Sequence, residues 1–237
     1  MAVTKAVLLA AGRGTRLGSL TDSTPKPLID VSGRPIIGHI LAGLRSAGIT
    51  DVLVVVGYLG DQIERALGDG ESIGVNIRYA RQERADGTAN AVALARQFVG
   101  AESFFVGWGD ILVGPATYVA LLRESQALAV NEVDDPASGA AVYVDADMRV
   151  TRIVEKPAPG TSMTHWNNAG LFVLPRTIWP FIDALKPSAR GEYELPQAIA
   201  AFVESGANVR AVPVEGQWFD VGTPADLEAA REAFGTP

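Results

Sequence analysis

Cysteine is absent from the 237-residue chain, so no disulfide framework, zinc-thiolate module or cysteine nucleophile can be built from it. There are only two histidines, His39 and His165, which excludes a histidine-rich metal centre. Lysine is scarce too: Lys5, Lys26, Lys156 and Lys186 are the only four. With 20 Lys+Arg against 27 Asp+Glu the net charge is -7, the wrong sign for a general nucleic-acid binder, whose phosphate contacts need a basic face. No apolar run approaches the ~20 residues of a membrane span. The short apolar run after Lys5 ends in a glycine-rich turn, so no signal peptide can be drawn there. A cytoplasmic protein with no nucleic-acid or membrane partner is expected. Repeats, low-complexity segments and Pro/Ser-rich linkers are also missing, which points to one continuous domain.

What is present is 48% hydrophobic residues and 25 glycines in a regular order. Strand-length apolar runs at 6–10, 52–57, 76–79 and 103–108 alternate with helical patterns at 36–47, 61–67, 88–98 and 115–125. Runs such as Val52-Leu53-Val54-Val55-Val56 lack polar alternation, as a strand covered on both faces requires. The expected fold is α/β, a doubly wound, mixed and mostly parallel sheet. Beyond Gly139 strands are expected at 140–144, 150–154 and 171–174, helices at 177–185 and 195–204, then a strand pair at 209–213 and 218–221 and a last helix at 224–233. In such sheets ligands sit at the carboxyl ends of the strands.

The first strand runs into Gly12-Arg13-Gly14-Thr15-Arg16-Leu17-Gly18. The dinucleotide fingerprint fails here, because the third glycine comes late and the second strand ends in Val56-Gly57-Tyr58 without an acidic residue. No Walker A sequence occurs either. A polar stretch, 19–24, leads to Pro25-Lys26-Pro27. Free backbone N–H groups, two arginines and a lysine on a rigid elbow suit a triphosphate; as an isolated turn, the same residues would be solvated surface charges. Asp110 and Asp220 each follow or end a predicted strand and together could hold a hard cation, although Asp220 alone would equally serve as a turn or N-cap residue.

The segment LAAGRGTRLGSLTDSTPKPLI resembles the G-x-G-T-R…P-K-P signature of the sugar-1-phosphate nucleotidyltransferases, the NDP-sugar pyrophosphorylases. The resemblance implies a nucleotide-diphospho-sugar transferase-like fold, with 1–125 as nucleotide-binding half and 126–237 as sugar-phosphate half. It implies nucleotide contacts from Leu9, Ala11, Gly12, Gly14, Thr15, Arg16, Gln82 and Gly87, the last two in a Q…G-T segment that reads the base. Arg16, Lys26 and Asp110 would be catalytic, and Asp110 and Asp220 would hold Mg²⁺. Glu155-Lys156-Pro157 matches the family's E-K-P, and Asn168 its N-x-G asparagine, so that Gly139, Glu155, Lys156 and Asn168 would bind the sugar phosphate. Read alone, Glu155 and Lys156 would be a solvated pair, Asn168 a turn residue before a strand, and Thr88 the cap of the helix that follows.

The implied reaction joins a nucleoside triphosphate, UTP or dTTP by default, to a sugar 1-phosphate. Alternatives left open are a cytidylyl- or guanylyltransferase acting on another phosphorylated acceptor, and a non-catalytic nucleotide sensor. The chain departs from the family at Ser138, where an aromatic residue is usual, and at Trp108. It ends about 14 residues after Thr223, where bifunctional relatives continue into a β-helix, so a minimal catalytic domain is expected, and a homo-oligomer is left open.

Overall fold

In the computed structural model, which describes residues 3–235, β1 (Lys5–Ala10) is buried on both faces, as its unbroken apolar sequence requires. A 3-10 segment over Thr15–Thr21, kinked at Gly18, leads to the short ribbon β2 (Asp30–Val31) and β3 (Arg34–Pro35). Then come α1 (Ile36–Ser46), β4 (Asp51–Val56), α2 (Gly60–Leu67) and β5 (Asn76–Arg81). Next are α3 (Thr88–Ala93), α4 (Arg96–Val99), β6 (Phe104–Trp108), β7 (Ile111–Val113) and α5 (Pro115–Leu122). The second half holds β8 (Ala127–Glu132), β9 (Ala140–Val144), β10 (Val150–Glu155), β11 (Trp166–Leu174), α6 (Trp179–Asp183) and α7 (Leu195–Glu204). It closes with β12 (Arg210–Pro213), β13 (Trp218–Asp220) and α8 (Pro224–Gly235).

The central sheet runs β10-β9-β11-β6-β1-β4-β5, with β8 and β12 attached beside β11. β1 pairs in parallel with β4 and β6, and β4 with β5, whereas β11 joins β6 antiparallel. Side chains alternate across the sheet, so Leu8 and Val54 pack under α1 and α5 while Val7 and Val55 pack under α3 and α7. Each fully buried aliphatic side chain contributes about 1.5–3 kcal/mol, which makes these two cores the main support of the loops at the carboxyl edge. Among the described residues no helix is long and apolar enough to cross a membrane.

Four expectations about the elements need correction. The helix expected over 88–98 breaks at Ala95, whose N–H bonds Val92 in a tight turn, so that Val99 enters the core while Leu94 is left exposed. Likewise the helix expected over 177–185 is a 3-10 turn followed by the short α6. β8 is a central strand that local pattern hides behind the preceding helix. The two last strands do not pair with each other: β12 lies parallel to β8 and β13 antiparallel to β7. Between them the Glu215 N–H bonds Thr117 Oγ1, so the chain crosses to a different sheet rather than turning back as a hairpin.

Candidate active site

Asp110 and Asp220 are 110 residues apart in sequence, and strand pairing brings them together. β7 begins immediately after Asp110 and pairs with β13 so that Asp220 lies opposite Ile111, and the Val221 N–H donates to the Asp110 carbonyl at 3.1 Å. Lys26 fills the space between their carboxylates. Its Nζ lies 2.6 Å from Asp110 Oδ2 and 3.7 Å from Asp220 Oδ1, and the residue is only 6% exposed. It is therefore no solvated surface charge. The flanking prolines hold it there: the Pro25 carbonyl accepts from Leu28 N–H at 2.8 Å, closing a 3-10 turn around Lys26. Gly14, at φ 66, lies against the lysine stem, where an added Cβ would come within 3.1 Å of Lys26 Cβ.

Arg16 reaches Asp220 from the solvent side, with its guanidinium 3.9 Å from Oδ2 and resting on Gly222. Burial, and then the Asp110 charge, push the Asp220 pKa above the usual carboxylate value against the pull of Lys26 and Arg16. Asp220 Oδ1 is buried and has no hydrogen-bond partner. Two converging carboxylates, one with an orphaned oxygen, have the chemistry of a hard divalent-cation site. Among the described residues no group of three or more His, Cys, Asp or Glu is arranged to hold a metal ion, so the protein would supply two ligands and a phosphate-bearing ligand the rest. Asp220 does not cap the last helix. That role belongs to Thr223, whose Oγ1 accepts from the Asp226 N–H, while the Asp226 carboxylate accepts in return from the Gly222 and Thr223 N–H groups.

Three cavities meet at this centre. One, of about 330 Å³, is walled by Leu9, Ala11, Gly12, Gln82 and Gly87 and opens onto both aspartates. A second, of about 240 Å³, lies over Gly14, Thr15, Arg16 and Lys26. The third, of about 360 Å³, holds Gly139, Glu155, Lys156 and Asn168, with Arg16 and Asp220 at its other end. All the candidate residues thus line one connected groove at the carboxyl edge of the sheet. Gln82 donates both amide hydrogens to its own loop, to Asp86 Oδ1 and the Gly87 carbonyl, which leaves its carbonyl oxygen free to accept. Gly87 has φ 119, and a Cβ there would sit 2.3 Å from the Tyr193 carbonyl oxygen. Thr88 does not cap its helix; its Oγ1 accepts from the Leu195 N–H.

Around the third cavity the backbone is specialised. Lys156 has φ 45, a left-handed conformation costing a non-glycine residue roughly 1–2 kcal/mol, and its N–H bonds the Gly139 carbonyl. Asn168 lies within β11 rather than in a turn before it, and its Oδ1 accepts from Gly170 N–H at 3.0 Å. At Gly170 β11 bulges with φ 81, and an added Cβ would meet the Trp108 ring at 2.1 Å. Trp108 packs edge-on against Phe172 and walls both the first and third cavities. Gly170→Ala is expected to destabilise the fold by about 2–4 kcal/mol, adding overpacking to a disallowed φ. Urea denaturation monitored by tryptophan fluorescence checks this, and an unchanged midpoint would contradict it.

Sequence reasoning missed Arg190, Glu192, Glu194 and Trp218, all of which line the third cavity. The dense charge of Arg190-Gly191-Glu192-Tyr193-Glu194 in a loop was the available signal. Only the fold shows that this loop braces the base-side loop, through Tyr193 N–H to the Asp86 carbonyl and Ala89 N–H to the Tyr193 carbonyl.

Residues 5–236 match the family described as nucleotidyl transferase. A low-salt glycan biosynthesis nucleotidyltransferase of Haloferax volcanii is 34% identical over 236 residues, covering 96% of this chain and 65% of its own length. A UTP–glucose-1-phosphate uridylyltransferase of the same organism is 35% identical over 236 residues, covering 96% of this chain and 95% of that protein. Several relatives are longer, and this chain spans 54% to 65% of their length. Among solved structures, a Bacillus anthracis protein assigned as a glucose-1-phosphate thymidylyltransferase, in complex with a sucrose, superposes with a TM-score of 0.85. It is 28% identical, with 98% of this chain and 96% of that chain covered.

Proposed function

The chain belongs to the nucleotidyl transferase family, and from that premise we propose that it is a sugar-1-phosphate nucleotidyltransferase, which condenses a nucleoside triphosphate with a sugar 1-phosphate and releases pyrophosphate. The observation that carries the proposal is the buried Lys26 between Asp110 and Asp220, at the point where a cavity suited to a base and one suited to a sugar meet.

In this reaction a phosphate oxygen of the sugar phosphate attacks the α-phosphorus, and the bond to the bridging oxygen breaks. The electron pair leaves with pyrophosphate, so no covalent enzyme intermediate is formed. The protein's contribution is positioning and charge neutralisation. The loop of Gly12, Gly14 and Thr15 offers backbone N–H groups to the triphosphate, and Arg16 is free to turn from Asp220 toward the phosphates. Lys26 holds the two carboxylates in register and carries positive charge to the reacting phosphate. Lys156, held by its left-handed backbone, faces the incoming sugar phosphate. Bound Mg²⁺, held by Asp110 and Asp220, would neutralise the charge that builds on the phosphate oxygens. Glu155, Asn168 and the Gly139 backbone meet the sugar, so that residues 1–125 serve the nucleotide and 126–237 the sugar phosphate.

Gln82 also favours one class of base. With both amide hydrogens engaged, its free carbonyl oxygen accepts from a base N–H, as the imide of uracil or thymine provides. Cytosine carries no N–H at the equivalent ring nitrogen. UTP or dTTP with a hexose 1-phosphate is therefore the expected pair. Pyrophosphate release across a grid of UTP, dTTP, CTP, GTP and ATP with a panel of sugar 1-phosphates, in Mg²⁺, tests it. Release with UTP or dTTP at least about tenfold faster than with CTP is expected. Release with CTP alone, or with no sugar 1-phosphate at all, would overturn the reading.

A further inference from the structure

Beside the catalytic groove, where the chain leaves the main sheet, lies a fourth cavity of about 600 Å³. It is larger than any of the three in the groove and falls within the ~300–1,000 Å³ of small-molecule sites. Its walls include Asn131 and Glu132 of β8, Val133 just after them, Trp166 of β11, and Val214 and Trp218 from the segment that crosses to β13. The crossing creates the space. The Val214 N–H donates to the Val130 carbonyl at 2.8 Å, and beyond that bond no main-chain hydrogen bond joins the crossing segment to β8 among the described residues. On the β11 side the pairing continues, with the Val133 N–H donating to the His165 carbonyl at 2.9 Å. Main-chain groups of a strand alternate sides, so Glu132 turns its N–H and C=O away from β11, to the side that the crossing segment has left.

Asn131 sets the chemistry of this wall. The Ala140 N–H donates to Asn167 Oδ1 at 3.2 Å, which orients the Asn167 amide so that its Nδ2 donates to Asn131 Oδ1 at 3.0 Å. Asn131 must therefore turn its own Nδ2 the other way. The residue is only 9% exposed, and among the described residues that Nδ2 donates to no protein group. A buried amide with both hydrogens unpaired is rare in a folded protein, and at a cavity wall it is a donor aimed at a ligand.

Charge and polarity narrow the ligand. Glu132 lines the cavity and no lysine, arginine or histidine does, so a phosphorylated ligand would meet negative charge with nothing to offset it. An organic cation would face the N–H donors of Asn131 and Glu132. A hydroxyl group both donates and accepts, which satisfies the Asn131 amide and the Glu132 main chain alike, and tryptophan offers apolar surface to a sugar ring. We propose that this cavity is an accessory site for a neutral saccharide of one or two rings, separate from the cavity assigned to the sugar phosphate. Its occupant touches the groove at two points. Trp218 lines both cavities, with its Nε1 bonded to the Ala169 carbonyl at 3.0 Å, and Asn167 holds Ala140, next to Gly139, through its Oδ1. The site does not rest on the sugar 1-phosphate reading of the groove.

Glucose and maltose, titrated into ¹⁵N-labelled protein without nucleotide, test it. The side-chain amide resonance that is missing from Asn131→Ala is expected to shift saturably in the parent, with a Kd of about 1–10 mM for at least one of the two sugars. Saturation-transfer NMR on the sugar should show binding weakened about tenfold in Asn131→Ala, the scale of one lost hydrogen-bonding group. Because that variant also unpairs Asn167, Val214→Phe supplies a second test: it narrows the cavity from its half-buried wall and should weaken binding by at least a similar factor. Glu155→Ala, a change in the groove, should leave the Kd within about twofold. An Asn131 resonance that stays fixed up to ~50 mM of either sugar overturns the proposal. So does binding that survives Asn131→Ala and Val214→Phe but is lost in Glu155→Ala, which would place the sugar in the groove, and so does saturable binding of choline without binding of either sugar. No turnover enters these measurements, so failure of the proposed function and failure of this site are read separately.

Discussion

Lys26→Ala is expected to lower kcat/KM for nucleotidyl transfer by about 10²- to 10³-fold, the scale of losing one preorganised charge at a phosphate centre. The lysine has two tasks, and alanine ends both. It carries a fixed positive charge into a site that is 6% exposed, where water screens little, and it neutralises Asp110 and Asp220 at once. Without it the two carboxylates repel each other, and Asp220, already pushed up by burial and by Asp110, should be pushed up further. Lys26→Arg should not restore the rate, because the lysine stem is pinned against Gly14 and its Nζ is already in hydrogen-bond contact with Asp110 at 2.6 Å, so the longer, planar guanidinium would have to displace that carboxylate. Pyrophosphate release by the three proteins, each checked for folding by circular dichroism, is the measurement. A folded Lys26→Ala protein with unchanged kcat/KM would remove Lys26 from the chemistry.

Asp220→Asn is expected to separate stability from activity. In the metal-free protein the ionised Asp220 stands beside Asp110 with one buried oxygen unpartnered, so an uncharged isostere should leave thermal stability at neutral pH equal to or above the parent's. The direction follows from linkage: a carboxyl whose folded pKa is raised stabilises the fold only while protonated and loses that contribution as pH rises through its folded pKa. Activity should move the other way, falling by about 10²- to 10³-fold with loss of one of the two protein ligands to Mg²⁺. Thermal melts with and without Mg²⁺ and nucleoside triphosphate, beside turnover at several Mg²⁺ concentrations, distinguish the two effects. A variant that is less stable yet fully active would mean that Asp220 is a structural partner of Lys26 alone.

The two halves of the chain were not equally legible. Through residue 125 the elements follow local pattern, apart from the helix broken at Ala95, because parallel strands covered on both faces read as unbroken apolar runs separated by amphipathic helices. The second half is a mixture of antiparallel strands in which β11 serves β6, β8 and β9 at once. A strand shared in this way has no single face, so its first residues, Trp166, Asn167 and Asn168, look like loop. The destination of the last two strands is equally invisible locally, since four intervening residues suit a hairpin as well as a crossing.

By itself the sequence determined the chemistry available: a glycine-rich loop ending in a proline-bracketed lysine, aspartates at strand ends, and a Glu-Lys pair at another strand end, with cysteine chemistry and a histidine-rich metal centre excluded. Backbone motifs such as these are local, because φ constraints and short spacing act within a few residues. Only the tertiary structure decided that Lys26 is buried between Asp110 and Asp220, that Trp108 divides two cavities because Gly170 leaves room for it, and that Glu155 and Glu194 line one cavity. Those relations depend on β7 pairing with β13 and on the 188–194 loop folding over the end of β10. The physical reason is that desolvation, charge pairing and steric room are properties of distance in space, which neither composition nor spacing along a chain encodes.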